Sequence, residues 1–224
     1  MTDSGAITAL ELDEQITVRA EGTALRGHLR IPCGARAIVL VAHGSGTWRD
    51  SPRNSHIAGK LTDRGLGSLT MDLLTPAEAT TDLIFDITLL GRRLLAVRHW
   101  LAGSPYQWMP VGLLGVGSDA PVALWTAGEP DVRVGSVVVH GARPDLAADR
   151  LTRVLAPTLF VSGGADQRIR RCVRTAAALV PAPTRITELG VSTNPVPRDR
   201  LGMWSSYLAS VWFGEHLGTV PQRP

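Results

Sequence analysis

Apolar runs typical of buried strands alternate with longer segments of helical periodicity, and this alternation restricts the fold of the chain more than any other feature. The run Ala37–Ala42 (AIVLVA) is continuous and β-branched, as in a strand that is buried on both faces of a parallel sheet. A hairpin and five further strands are predicted at Ile16–Ala20, Leu25–Ile31, Leu66–Leu73, Pro110–Leu114, Val134–Val139, Pro157–Val161 and Thr184–Leu189. Helices are predicted between the strands at Asn54–Arg64, Leu83–Ala102, Ser118–Ala127, Asp166–Leu179 and Arg200–Leu217. We therefore expect an α/β fold with a mostly parallel sheet of about eight strands and helices on both faces.

Length and composition predict a single domain over residues 1–224. Of the 224 residues, 44% are hydrophobic and 19% are charged, which is typical of a folded globular protein. The two cysteines, Cys33 and Cys172, are too few for a disulfide framework or a cysteine zinc site. The acidic N-terminal segment does not resemble a secretory signal, and no apolar stretch reaches the roughly 18 residues of a membrane span. These features predict a cytoplasmic protein that does not contact a membrane.

The last two predicted helices carry a basic cluster and three aromatic residues. The net charge is +3, and the basic residues cluster only at Arg168, Arg170, Arg171 and Arg174. This cluster lacks the interleaved aromatic residues that stack on bases, so we predict a solvated helix face and no nucleic-acid partner. Trp204, Tyr207 and Trp212 on the last helix are predicted to pack in the core.

Several short motifs, taken in order, resemble the dienelactone hydrolase-like branch of the α/β-hydrolase superfamily. The AIVLVA strand is followed by HGSG at 43–46, SPRN at 51–54 and MDLLTPAE at 71–78. GARPDLA at 141–147 and SGGAD at 162–166 continue the series. The resemblance implies the α/β-hydrolase fold over nearly the full chain. It also implies acyl-transfer chemistry by a nucleophile, a histidine and an acid.

Two of the three catalytic positions implied by this resemblance lack the required side chain. The Gly-x-Ser-x-Gly elbow of such enzymes matches GVGSD at 115–119, which places Gly117 where the nucleophile is expected. Thr193 lies where the resemblance places the histidine, in the loop after the last strand. Asp166 matches the acid, although an aspartate at the start of a helix also serves as an N-cap. Ordinary serine-hydrolase activity is therefore not expected.

The remainder of the implied pocket consists of groups that bind rather than attack. Backbone N–H groups of Ser118 and of the Gly44–Ser45 loop are candidates for an oxyanion hole, unless HGSG serves only as a turn. Arg53 is a candidate partner for an anionic ligand, or an anchor of its own loop. Trp48 has no evident packing role in its polar loop and is a candidate pocket-lining residue.

Three replacement schemes for catalysis remain open. His140, at the end of a strand, could form an acid/base pair with Asp166 or Asp119, although a single histidine there is more often structural. Ser118 could act as a displaced nucleophile, but its position one residue past the elbow disfavours this role. A metal site that includes His43 and His140 lacks supporting ligand spacing, so neither a metal nor a cofactor is predicted.

Three functions follow from these residues. The first is a pseudo-hydrolase that binds a small carbonyl or carboxylate ligand, or a partner protein, with a homodimer as another option. The second is an enzyme repurposed for a lyase, isomerase or cyclase step that uses His140 and Asp166. The third is a hydrolase with a displaced catalytic set, which only fold-level analogy supports.

Overall fold

A computed structural model describes residues 9–43, 52–79, 82–141, 143–163, 166–189 and 198–217; the side chains of residues 43, 52, 53 and 198–202 are outside this description. Eight strands form one sheet in the order β1-β2-β4-β3-β5-β6-β7-β8. The strands are β1 Leu10–Ala20, β2 Thr23–Pro32, β3 Ile38–His43, β4 Gly67–Asp72, β5 Val111–Val116, β6 Ser136–His140, β7 Thr158–Gly163 and β8 Thr184–Leu189. The pairs β1–β2 and β2–β4 are antiparallel, and all other pairs are parallel.

Helices cover both faces of this sheet. They are α1 Pro52–Thr62, α2 Ile87–Ala102, α3 Ala120–Ala127, α4 Ala148–Leu151, α5 Gln167–Leu179 and α6 Arg198–His216. Apolar residues of α2, α3 and α5 belong to one core cluster, and those of α1 and α6 belong to a second. Within the described residues, no helix has the length and apolarity that a membrane crossing requires.

The third strand shows why its sequence is continuously apolar. Ile38, Leu40 and Ala42 lie in the first core cluster, whereas Val39 and Val41 lie in the second. Successive side chains of a strand point to opposite faces, so a strand with a core on each side requires an apolar residue at every position. This burial confirms the predicted parallel sheet with helices on both faces.

The predicted elements are confirmed, with differences at their ends. Strand β1 begins at Leu10 rather than Ile16, because an edge strand pairs through its backbone and tolerates the exposed polar residues between these positions. Helix α2 begins only at Ile87, after a 3₁₀ turn at Leu83–Phe85, because the Asp86 carboxylate caps it by accepting a hydrogen bond from a backbone N–H of its first turn. The short helix α4 was not predicted.

A buried arginine fixes the segment that follows β4. Arg93 on α2 is 3% exposed and forms a bidentate ion pair with Glu78, with distances of 2.7 Å from Nη2 to Oε1 and 2.9 Å from Nη1 to Oε2. The same guanidinium donates to the Leu73 carbonyl at 2.8 Å and to the Thr23 hydroxyl at 3.2 Å. It therefore joins the chain beyond β4 to α2 and to the β1–β2 turn.

The ion pair predicts a specific loss of stability in acid. The hydrogen bonds from Arg93 are the main cause that lowers the pKa of Glu78 from 4.5 to about 2. A carboxylate with a depressed pKa stabilises the fold above its unfolded pKa, and this contribution is lost as the pH falls from about 4.5 to 2. We expect Glu78→Gln to lower the free energy of unfolding by about 2 kcal/mol at neutral pH. Urea unfolding of the variant should also show a weaker pH dependence than wild type over that interval.

The control for this experiment is Glu215→Gln. Glu215 is exposed on α6, and its carboxylate forms no ion pair with any described residue. This variant should match wild type at every pH. Equal effects of the two substitutions would contradict the assigned role of the Glu78–Arg93 pair.

Candidate functional site

The candidate residues lie where the parallel strands end. His140 is the last residue of β6 and pairs in register with Val116, the last residue of β5. On its other side His140 pairs with Val161 of β7. The carboxyl edge of the sheet therefore brings the histidine next to the turn that follows β5. Ligand sites of open α/β sheets occupy this edge.

The turn after β5 has the backbone of a nucleophile elbow. Gly117 has a φ of +68°, in the left-handed region, and begins the 3₁₀ turn Gly117–Asp119 that leads into α3. A Cβ added at Gly117 would have no described atom within 4 Å. The turn thus presents an open position at its tip, where glycine provides no reactive group.

Close backbone contacts hold this turn in place. A Cβ added at Gly115 would lie 2.4 Å from the Asp119 carbonyl oxygen and 2.9 Å from the Ala120 Cα. A Cβ added at Gly141, the residue after β6, would lie 2.8 Å from the Gly117 carbonyl oxygen. Glycines on the strand side therefore allow the close helix–strand approach, and Asp119 occupies the last position of the turn as a buried residue.

Asp166 serves in the structure as a helix cap. Its carboxylate accepts a hydrogen bond at 2.8 Å from the backbone N–H of Arg168, which makes it the N-cap of α5. The side chain is exposed. This position agrees with the structural role considered for Asp166, and its role as a catalytic acid stays a prediction.

Two buried aspartates lie at the same edge; Asp119 was considered from the sequence as an acid/base partner of His140, whereas Asp72 was not singled out. Asp72 ends β4, where it pairs in register with His43 at the end of β3, and Asp119 closes the turn after β5; each is 3% exposed. The available signal for Asp72 was an acidic residue at the end of an otherwise uncharged buried strand. By comparison His140 is partly buried, and Ser118 is exposed beside Gly117.

Several predicted site residues lie outside the described part of the chain. They are Gly44, Ser45, Trp48 and Thr193. For Arg53 the structure gives only the backbone, which belongs to the first turn of α1. Their roles stay predictions. Among the residues that the structure does describe, no three His, Cys, Asp or Glu side chains are grouped as a metal site would require.

The basic cluster is largely the solvated helix face that was predicted. Arg168, Arg171 and Arg174 are exposed on α5, and Arg170 and Arg174 form ion pairs with Glu188 of β8 at 3.6 and 2.9 Å.

The prediction that the three aromatic residues of α6 lie in the core is correct only for Trp212. Trp204 and Tyr207 are 53% and 47% exposed, and they contact each other edge to face at 6.3 Å. The α6 sequence has apolar residues on more than one side, so spacing alone did not identify the buried face.

The sheet order and the left-handed turn after β5 define an α/β-hydrolase fold. The esterase domain of a Rhodothermus marinus protein has this fold, with a TM-score of 0.69, 17% identity, and coverage of 92% of this chain and 100% of that chain. A dienelactone hydrolase of Anabaena variabilis is more similar, with a TM-score of 0.83 and 36% identity over 92% of this chain and 98% of that chain. This chain belongs to the dienelactone hydrolase family.

Curated relatives add a second observation. Two proteins of Mycobacterium tuberculosis, from strains CDC 1551 and H37Rv, are 40% identical to this chain over 221 residues, and each is named "putative phosphoribosyl transferase". The alignment covers 96% of this chain, but the chain spans about half the length of these relatives. No protein-family model matches the chain.

The glycine contacts predict opposite tolerance at two neighbouring positions. Gly115→Ala should lower the free energy of unfolding by about 3 kcal/mol, because the added methyl group meets backbone atoms that cannot move independently. Gly117→Ala should cost only about 1 kcal/mol, the strain of a left-handed residue in open space. Urea unfolding of both variants measures the difference. Equal costs would contradict the described packing of the turn.

Proposed function

We propose that this chain binds a small carbonyl or carboxylate compound at the carboxyl edge of its sheet and does not hydrolyse esters. The observation that carries the proposal is Gly117 at the tip of the turn after β5, in the left-handed conformation of an elbow but without a nucleophilic side chain. Acyl transfer through a covalent intermediate requires an attacking oxygen or sulfur at that position.

The loss of the nucleophile outweighs any remaining part of a triad. Triad residues act as a unit, so the removal of one member costs nearly as much as the removal of all. What remains, about 10³- to 10⁴-fold acceleration over water, comes from oxyanion contacts and binding alone. A glycine at 117 and a threonine at 193 therefore leave a scaffold suited to hold a carbonyl compound without attacking it.

The geometry of the turn supports a binding role. The space above Gly117 that a side chain would fill is clear of described atoms, so a ligand oxygen can approach the backbone there. The N–H of Ser118 and one from the loop at 43–46 are proposed to donate to that oxygen, as oxyanion donors do in hydrolases.

A non-hydrolytic reaction in the same pocket is the second candidate. It is favoured by the register of His140 with Val116, which places a titratable ring beside the turn, and by the buried carboxyl group of Asp119. Histidine exchanges protons near neutral pH, so His140 is proposed as the acid/base group of a lyase, isomerase or cyclase step. Loss of turnover with His140→Gln, while ligand affinity is unchanged, would identify this function.

The curated relatives are named as transferases, and this name is compatible with the binding proposal when it refers to the half of each relative that this chain does not match. This chain matches about half of each relative and has the fold of a dienelactone hydrolase. We therefore assign phosphoribosyl transfer, in those proteins, to the part that this chain does not match. By this reasoning, a transferase domain is the kind of partner protein expected for this chain.

An ester panel tests the proposal. Wild type should not accelerate hydrolysis of p-nitrophenyl esters or a dienelactone above the buffer rate. The double variant Gly117→Ser/Thr193→His should gain about 10²-fold or more, because the fold and the acid position are present. In that background, Asp166→Asn should remove the gain if Asp166 orients the introduced histidine.

The single variant Ser118→Ala in wild type is the matched control for a displaced nucleophile. A wild type that hydrolyses the panel, with activity that falls in this variant, would contradict the proposal and make the chain a hydrolase with a displaced catalytic set.

A further inference from the structure

A surface cavity lies at the opposite end of the strands from the candidate site. Its volume is about 720 Å³, within the range of small-molecule pockets. Its walls come from the end of α3 and from the segments that precede β6 and β7. Strand β6, which is five residues long and ends at His140, runs between the two sites, and its two ends are about 13 Å apart.

The wall of this cavity includes an apolar side chain that is held outward. Leu155 is 79% exposed, although its neighbours Val154 and Ala156 are 0% and 3% exposed. The backbone N–H of Val154 also donates to the Leu151 carbonyl at 3.2 Å. Because the chain is fixed on both sides of Leu155, its exposure reflects a defined backbone path. With Val132 and Val134, this leucine gives the cavity an apolar wall that needs no rearrangement to accept a ligand.

The residues that line the cavity include two arginines and one glutamate. Arg133 and Arg153 line it, and neither guanidinium forms a salt bridge with any described carboxylate. The one acidic residue of the lining, Glu129, is already paired with Arg150. Arg150 in turn lies over the Trp125 ring at 4.5 Å and so holds Glu129 to the protein. Two fork-shaped donors therefore remain available to an anionic group in the cavity.

We propose that this cavity binds an amphipathic carboxylate, an apolar chain of medium length with one anionic head group. The alkyl chain packs against Leu155, Val132 and Val134, and the carboxylate accepts hydrogen bonds from Arg133 and Arg153. This site is separate from the edge that holds Gly117, so it is independent of the proposed function. Its lining places apolar side chains beside two arginines, the combination that an amphipathic small molecule with one anionic group requires.

Calorimetric titration with decanoate, below its critical micelle concentration, tests the proposal. Wild type should bind one decanoate per chain, and Arg133→Ala/Arg153→Ala should weaken this binding at least about ten-fold. Leu155→Asp, which places a like charge in the wall, should do the same. Butanoate has the same head group with a shorter chain, and it should bind at least about ten-fold more weakly than decanoate.

The double variant Arg168→Ala/Arg171→Ala is the charge-matched control, since it removes two exposed arginines from α5. It should bind decanoate with an affinity within about two-fold of wild type, and the rates on the ester panel should be unchanged in every variant.

Absence of decanoate binding, equal losses in the two double variants, or several decanoates per chain would overturn the proposal. A change of sedimentation coefficient in Leu155→Asp without any effect on decanoate binding would assign the face to a protein contact, and would overturn it as well. All substituted residues are exposed, and a thermal melt of each variant verifies folding.

Discussion

The contact of backbone against backbone at the end of β5 is the constraint on which the candidate site depends. The carbonyl oxygen of Asp119 and the start of α3 lie closer to Gly115 than any side chain there would allow. The backbone of Gly117 lies similarly close to Gly141, the residue after the neighbouring strand β6. These approaches fix where α3 begins and where its first N–H groups lie. The elbow is thus a property of the glycines around it, and it persists without a nucleophile at its tip.

Because of this independence, the turn keeps its conformation whether or not residue 117 carries a side chain. A serine at 117 would have to adopt a φ of +68°, a conformation that costs a non-glycine residue about 1 kcal/mol. Glycine avoids that strain, so under the proposed function a glycine at this position favours stability. Asp166 has a structural task as the cap of α5, and this task does not depend on a catalytic role. The chain thus has the fold of the dienelactone hydrolase family, and the glycine at 117 supports the proposed binding role.

Much of the fold could be predicted from sequence because each central strand is apolar on both faces and α2 repeats apolar residues at helical spacing. The order of the short motifs also indicated the family. The site was predicted less completely, since its geometry depends on contacts between distant segments. The Gly115–Asp119 approach, the burial of Asp72 and the pairing of Glu78 with Arg93 leave no periodic signal. Trp204 and Tyr207 show the same limit, because α6 has apolar residues on more than one side and only packing decides which side is buried.

The central claim is that the turn after β5 carries no activated nucleophile, and reaction with a fluorophosphonate tests it most directly. Such a probe phosphonylates an activated serine and releases fluoride, so intact-protein mass spectrometry reports the adduct without the need to know a substrate. The account predicts an unmodified wild-type mass after prolonged incubation. A stoichiometric adduct that disappears with Ser118→Ala would contradict the account and place an active nucleophile one residue beyond Gly117.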